Sequence, residues 1–157
     1  MKNKLENIIK EACEKLYKED KYLIKFHVCE RAIVFRFGIY LEEIMRRDEQ
    51  LKKYNLDNEY NRNIKQPKLL PYHTRGVYPD LIIHKRGNNR NNLMIMECKT
   101  EWNNDIEDDL DKINYFVNSE GRYKYKYGIS IIFNINEVIL NITEDGIKYE
   151  EKIIPMK

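Results

Sequence analysis

Two short runs decide how this chain reads: Tyr78-Pro79-Asp80-Leu81-Ile82-Ile83-His84 and Leu93-Met94-Ile95-Met96-Glu97-Cys98-Lys99. Both are largely apolar, and the polar segment Gly87-Asn88-Asn89-Arg90-Asn91-Asn92 divides them. A strand, a polar turn and a second strand predict an antiparallel hairpin of largely buried strands. Each run carries a carboxylate, Asp80 or Glu97, where burial is costly unless the charge is paired, hydrogen-bonded or metal-bound. In a hairpin centred near Asn88 and Asn89, Asp80 falls across from Glu97, with Cβ atoms about 5 Å apart. Both carboxylates then reach one cation. Lys99, two residues beyond Glu97, leaves the same face, while the Cys98 side chain turns into packing on the other. Hard oxygen ligands with room for water suit Mg²⁺ or Mn²⁺, and the Cys98 backbone carbonyl offers one further ligand.

Outward from the hairpin, helices precede it and a helix and further strands follow. Leu5, Ile8, Ile9, Ala12 and Leu16 recur at helical spacing and predict an amphipathic helix ending between Tyr17 and Asp20. A second helix is expected over residues 27–54, where no proline intervenes and helix formers fill the later turns. Gly38 within it costs on the order of 1 kcal/mol relative to alanine, which points to close packing at that position. Residues 55–63 read as an exposed edge strand or an irregular hairpin arm, and Gln66-Pro67-Lys68-Leu69-Leu70-Pro71-Tyr72-His73 reads as loop because of its prolines.

Beyond Lys99, Asn104 and Glu107 have capping-box spacing, and Ile106, Leu110, Ile113 and Val117 trace the buried stripe of a helix to Asn118. Asp105, Glu107, Asp108 and Asp109 suit the positive end of that helix. Residues 128–134 and 138–143 read as core strands, and 147–154 as an edge strand behind the turn Glu144-Asp145-Gly146. This order predicts an α/β (mixed α+β) fold whose sheet is partly antiparallel and then extended through a crossover helix. A chain of 157 residues, with no linker or repeat, fits one domain over residues 1–157.

Composition narrows the function classes. Hydrophobic residues at 42% and charged residues at 34% fit a folded, water-soluble chain rather than a disordered one. No apolar run approaches the roughly 20 residues of a membrane helix, and no signal-peptide apolar region follows Met1, so no membrane and a cytoplasmic location are expected. Cys13, Cys29 and Cys98 lack the spacing of a zinc site or redox pair. A net charge of +2 requires any nucleic-acid surface to be a local patch. No serine-hydrolase elbow, Walker A loop or dinucleotide turn occurs.

The Tyr78-Pro79-Asp80 and Glu97-Cys98-Lys99 pair resembles the PD-(D/E)XK nuclease superfamily, with the proline-aspartate and the E-x-K triplet both intact. The stretch Cys29-Glu30-Arg31-Ala32 is similar to that superfamily's upstream helical glutamate. The resemblance implies a restriction-endonuclease-like core with helices flanking a central mixed sheet, and a catalytic set of Asp80, Glu97, Lys99 and Glu30. It further implies metal ligation by Asp80, Glu97 and Glu30, and a phosphate-directed role for Lys112. The implied activity is divalent-metal-dependent hydrolysis of nucleic-acid phosphodiesters, DNA ahead of RNA; specificity is expected from loops such as residues 65–77, from a partner subunit or from a homodimer. The alternative is a non-catalytic nucleic-acid-binding or scaffold domain on the same fold.

Other residues carry two readings. Glu30 is also readable as a surface glutamate on an amphipathic helix. Arg36 falls six residues after Glu30 and is a candidate for the same groove and a phosphate contact. His84 reads as a hydrogen-bonded neutral histidine at a strand end ahead of a metal ligand. Tyr123, Tyr125 and Tyr127, alternating with Arg122, Lys124 and Lys126, fit either a stacking surface or an edge strand with one packed face.

Overall fold

In the computed structural model, which describes residues 1–71, 76–103 and 106–156, the sheet is built around the predicted hairpin. Strand β4 (Leu81–His84) pairs antiparallel with β5 (Met94–Thr100), matching Leu81 to Met96, Ile82 to Ile95 and Ile83 to Met94. That register centres the hairpin between Asn88 and Asn89, as the spacing predicts. It also sets Asp80, one residue before Leu81, opposite Glu97. The strand starts at Leu81 rather than Tyr78 because Pro79 has no N–H to give a ladder.

The remaining strands are β1 (Asn55–Asn58), the short β2 (Arg62–Asn63) and β3 (Gln66–Pro67), then β6 (Tyr127–Phe133), β7 (Glu137–Thr143) and β8 (Glu150–Pro155). The main sheet has six strands in the order β1-β4-β5-β6-β7-β8. Only β5 and β6 run parallel, joined through the crossover helix α4 (Glu107–Val117); every other neighbouring pair is antiparallel. The mixed sheet and its crossover are therefore as expected, and β1 and β8 form its edges.

Alternation along β4 and β5 divides the interior into two cores. Leu81, Ile83, Met94, Met96 and Cys98 face a large core shared with α1 (Lys2–Glu19) and α3 (Glu30–Arg47). Ile82 and Ile95 face a smaller core with Ile113, Phe116 and Val117 of α4 and with Tyr123 and Tyr125. Close approach in both layers depends on glycine. A Cβ on Gly38 of α3 would meet a Leu81 methyl at 3.3 Å, the close packing its sequence position predicts. A Cβ on Gly128 of β6 would lie 2.3 Å from an Ile113 methyl and 3.0 Å from one of Val117, so only glycine lets α4 sit this near the sheet.

Several expectations need correction. The helix expected over 27–54 is shorter, because His27 adopts φ +51°, which no right-handed helix contains, and α2 (Lys21–Lys25) is a separate turn before it. Its far end stops at Arg47 because the Asp48 carboxylate accepts the N–H groups of Gln50 and Leu51 at 2.9 Å, starting a 3₁₀ turn at Leu51–Lys53. The proline-bearing loop opens with β3, which pairs with β2, so residues 55–63 hold both an edge strand, β1, and a hairpin arm, β2; the hairpin is tied down by the buried Lys68, whose ammonium donates to the carbonyls of Tyr60 and Arg62 at 2.9 Å. Tyr123, Tyr125 and Tyr127 are all buried, which removes the stacking-surface reading; the first two precede β6 and are not on an edge strand. The Asn104 capping box and His73 lie outside the described residues. No helix among the described residues is long and apolar enough to cross a membrane.

Candidate metal centre

Glu97 and Lys99 leave β5 on the α4 side of the sheet, and Asp80 enters the same face from the start of β4. Asp80 is pinned there: its Oδ2 accepts the Cys98 N–H at 2.8 Å, across the β4–β5 junction. Cys98 behaves as predicted, with its thiol buried in the large core. Glu30 opens α3 and brings one carboxylate oxygen to 3.9 Å from the Lys99 ammonium, while the Asn103 amide donates to its other oxygen at 3.3 Å. Lys112 reaches in from α4, 3.6 Å from Glu97 Oε2. Five of the six expected side-chain participants thus gather at one place.

Arg36 does not join them. Its Nε donates to Asp20 at 2.8 Å and its guanidinium to the Tyr40 hydroxyl at 2.6 Å. Six residues along an α-helix rotate a side chain about 120° away from Glu30, so the shared groove inferred from spacing does not exist. His84 also stays out. Its Nε2 lies 2.7 Å from an Asp57 carboxylate that also holds Arg86, the hydrogen-bonded role expected for it.

One member escaped the sequence reading. Asp109, 1% exposed, points into the cluster from the first turn of α4. Its Oδ1 accepts from Lys112 at 3.1 Å, and its Oδ2 stands 3.4 Å from Lys99 as a charge contact without an aligned hydrogen bond. The acidic run Glu107-Asp108-Asp109 reads naturally as dipole compensation, which hid it. The usable signal was periodicity, since Asp109 precedes Ile113 by four residues and so shares its buried stripe.

The cluster is under-compensated. Among the described residues, four carboxylates (Glu30, Asp80, Glu97, Asp109) face two ammonium groups (Lys99, Lys112). Glu97 is 2% exposed; among the described residues its Oε1 has no hydrogen-bond partner, and its Oε2 has only the 3.6 Å contact to Lys112. Burying an ion costs several kcal/mol, and a good charged hydrogen bond returns about 1.5–3 kcal/mol, so Glu97 is left in deficit. Its protonation equilibrium reflects this. Burial, reinforced by the neighbouring Asp80 charge, pushes the Glu97 carboxyl well above the ordinary range. Burial raises Asp80 as well, against the Cys98 N–H and with Asp109, and it raises Glu30 against the pull of Lys99. For Lys99 and Lys112 burial works downward, but the surrounding carboxylates outweigh it and hold both ammonium groups firmly charged.

Among the described residues, no group of three or more His, Cys, Asp or Glu side chains is arranged to enclose a metal ion. The unpartnered Glu97 oxygen beside Asp80 nevertheless suits a cation held by two carboxylates, with backbone oxygen and water completing the shell. Asp80 also lines an opening of about 360 Å³, together with Glu30, Arg31, Glu59 and Tyr78. The chain matches no protein-family model, no curated protein and no solved structure.

Proposed function

We propose that the protein is a Mg²⁺- or Mn²⁺-dependent nuclease with a core similar to that of the PD-(D/E)XK superfamily. The observation that carries this reading is the buried, half-unpartnered Glu97 carboxylate, set opposite Asp80 with Lys99 on the same sheet face. A divalent cation bound at these carboxylates would acidify a water molecule and neutralise charge growing on a phosphodiester. Asp80 and Glu97 bind, and the Cys98 N–H fixes the Asp80 carboxylate in orientation. Lys99 supplies a permanent positive charge that would orient the attacking water and meet the phosphoryl oxygens as the water oxygen bonds to phosphorus and releases its proton to solvent, while the ester oxygen departs and takes up a proton from solvent. Lys112 supplies a second charge, Glu30 positions Lys99, and Asp109 holds both ammonium groups toward the acids.

One observation favours a second reading, a non-catalytic domain that binds nucleic acid or a partner. The lysines already bridge three of the acids, so the cluster also works as an ion-pair network joining α3, β5 and α4. Incubation with single- and double-stranded DNA and RNA separates the two. The nuclease reading expects cleavage in Mg²⁺ or Mn²⁺, none in EDTA, and a loss of at least a hundredfold in Lys99→Ala. No cleavage in any metal, or equal cleavage by Lys99→Ala, favours the binding domain.

A further inference from the structure

The opening above Asp80 has an aromatic and a cationic wall. Tyr78, two residues before Asp80, lines it and is 55% exposed. Arg31, adjacent to Glu30 on α3, lines it too, with the acids Glu30, Glu59 and Asp80; its Nε lies 3.3 Å from Glu59, and its side chain remains 88% exposed. Asp80 neighbours two buried acids, Glu97 at 2% exposure and Asp109 at 1%. An opening of about 360 Å³ is at the small end of ligand-sized hollows. A stiff duplex keeps its bases stacked inward, out of reach of an aromatic side chain on the protein surface. A single strand does not, because its bases are free to turn outward onto an aromatic face.

We propose that this site takes single-stranded nucleic acid, with a base beside the scissile phosphate stacked on Tyr78 and a flanking phosphate met by Arg31. The assignment rests on the nuclease reading for the word scissile, but the binding it describes does not depend on turnover. Tyr78 is a specificity-determining residue on this account. It favours strands with unstacked bases over duplex, irrespective of base identity, since every base has a face to stack.

The test uses the full chain carrying Lys99→Ala, so that substrate survives, in Mg²⁺ with fluorescently labelled 12-nucleotide probes. These are a mixed-sequence DNA strand, its RNA equivalent and the blunt DNA duplex, followed by anisotropy. The single strands should bind at least tenfold tighter than the duplex. Adding Tyr78→Ala should weaken single-strand binding by about five- to a hundredfold, the span of base–aromatic stacking, and Tyr78→Phe should restore it. Duplex binding as tight as single-strand binding, single-strand binding indifferent to Tyr78→Ala, or no binding of any probe would overturn the proposal. Its failure is separable from that of the nuclease reading. Tyr78-dependent single-strand binding without cleavage by the unmutated chain removes the nuclease and leaves this surface. Duplex cleavage unaffected by Tyr78→Ala removes this surface and leaves the nuclease.

Discussion

At Glu97 the cost of the site is concentrated in one side chain, buried to 2% exposure with an oxygen that none of the described residues satisfies. Glu97→Gln removes a charge from a cluster with excess acid, and should stabilise the metal-free protein by about 1 kcal/mol while abolishing its response to metal. Thermal unfolding with and without Mn²⁺ reads both effects. The pH dependence has a definite sign. Glu97 and Asp80 have carboxyls raised above their ordinary range, so between the ordinary and the raised values the folded state binds more protons than the unfolded one. Stability of the metal-free protein therefore falls as pH rises through that window and improves on acidification from neutrality. Asp57 works oppositely: burial opposes its charge, but Arg86 and His84 overcome this and depress its carboxyl, so its contribution is lost only as pH falls below about 4. Melting temperatures from pH 7 to 5 should rise in the unmutated chain and rise less in Glu97→Gln; equal slopes contradict the assignment. At this scale the sequence was most informative where burial and charge conflict. Asp80 and Glu97 stood out because each interrupts an apolar run, whereas Asp109 sat among acids that a helix start welcomes.

The elements that carry these residues are fixed by close contact, and α4 most of all. It brings Asp109 and Lys112 to the sheet only because Gly128 leaves room for Ile113 and Val117. Gly128→Ala would put a methyl 2.3 Å from Ile113, so the helix must move or the side chains must leave their rotamers. Overpacking of this kind costs about 1–3 kcal/mol. Urea unfolding should show that loss, together with reduced metal-dependent cleavage as Asp109 and Lys112 draw back. Gly38→Ala meets only a flexible Leu81 methyl at 3.3 Å and should cost less than Gly128→Ala. A Gly128→Ala protein as stable as the unmutated chain would mean that α4 is not held by this contact. The hairpin register was legible because an apolar period of two and a polar turn define one centre. The ends of α3 were not, since they follow from the His27 backbone and the Asp48 carboxylate, which helical periodicity does not encode. Arg36 was misplaced for a related reason: sequence proximity to Glu30 is not proximity on a helix.

Across the whole molecule, a large core on one side of the sheet holds α1 and α3, and a smaller one on the other holds α4. The candidate centre lies on the α4 side, where the acids of β4, β5 and α4 meet the first turn of α3. The order of elements and the mixed sheet followed from the sequence alone; Glu30 of α3 and Lys112 of α4 were expected at the cluster only through the resemblance, and Asp109 of α4 was not expected at all, because its place depends on tertiary packing. The account rests on a cation joining Asp80 to Glu97, and Mn²⁺ titration of the metal-free protein by calorimetry, with the Asp80→Asn/Glu97→Gln double variant beside it, tests this most directly. The unmutated chain should bind Mn²⁺, and at a hundredfold excess over Kd gain about 2.7 kcal/mol of stability, while the double variant should stay folded and bind none. No binding by the unmutated chain at millimolar Mn²⁺, or equal binding by the double variant, would contradict it.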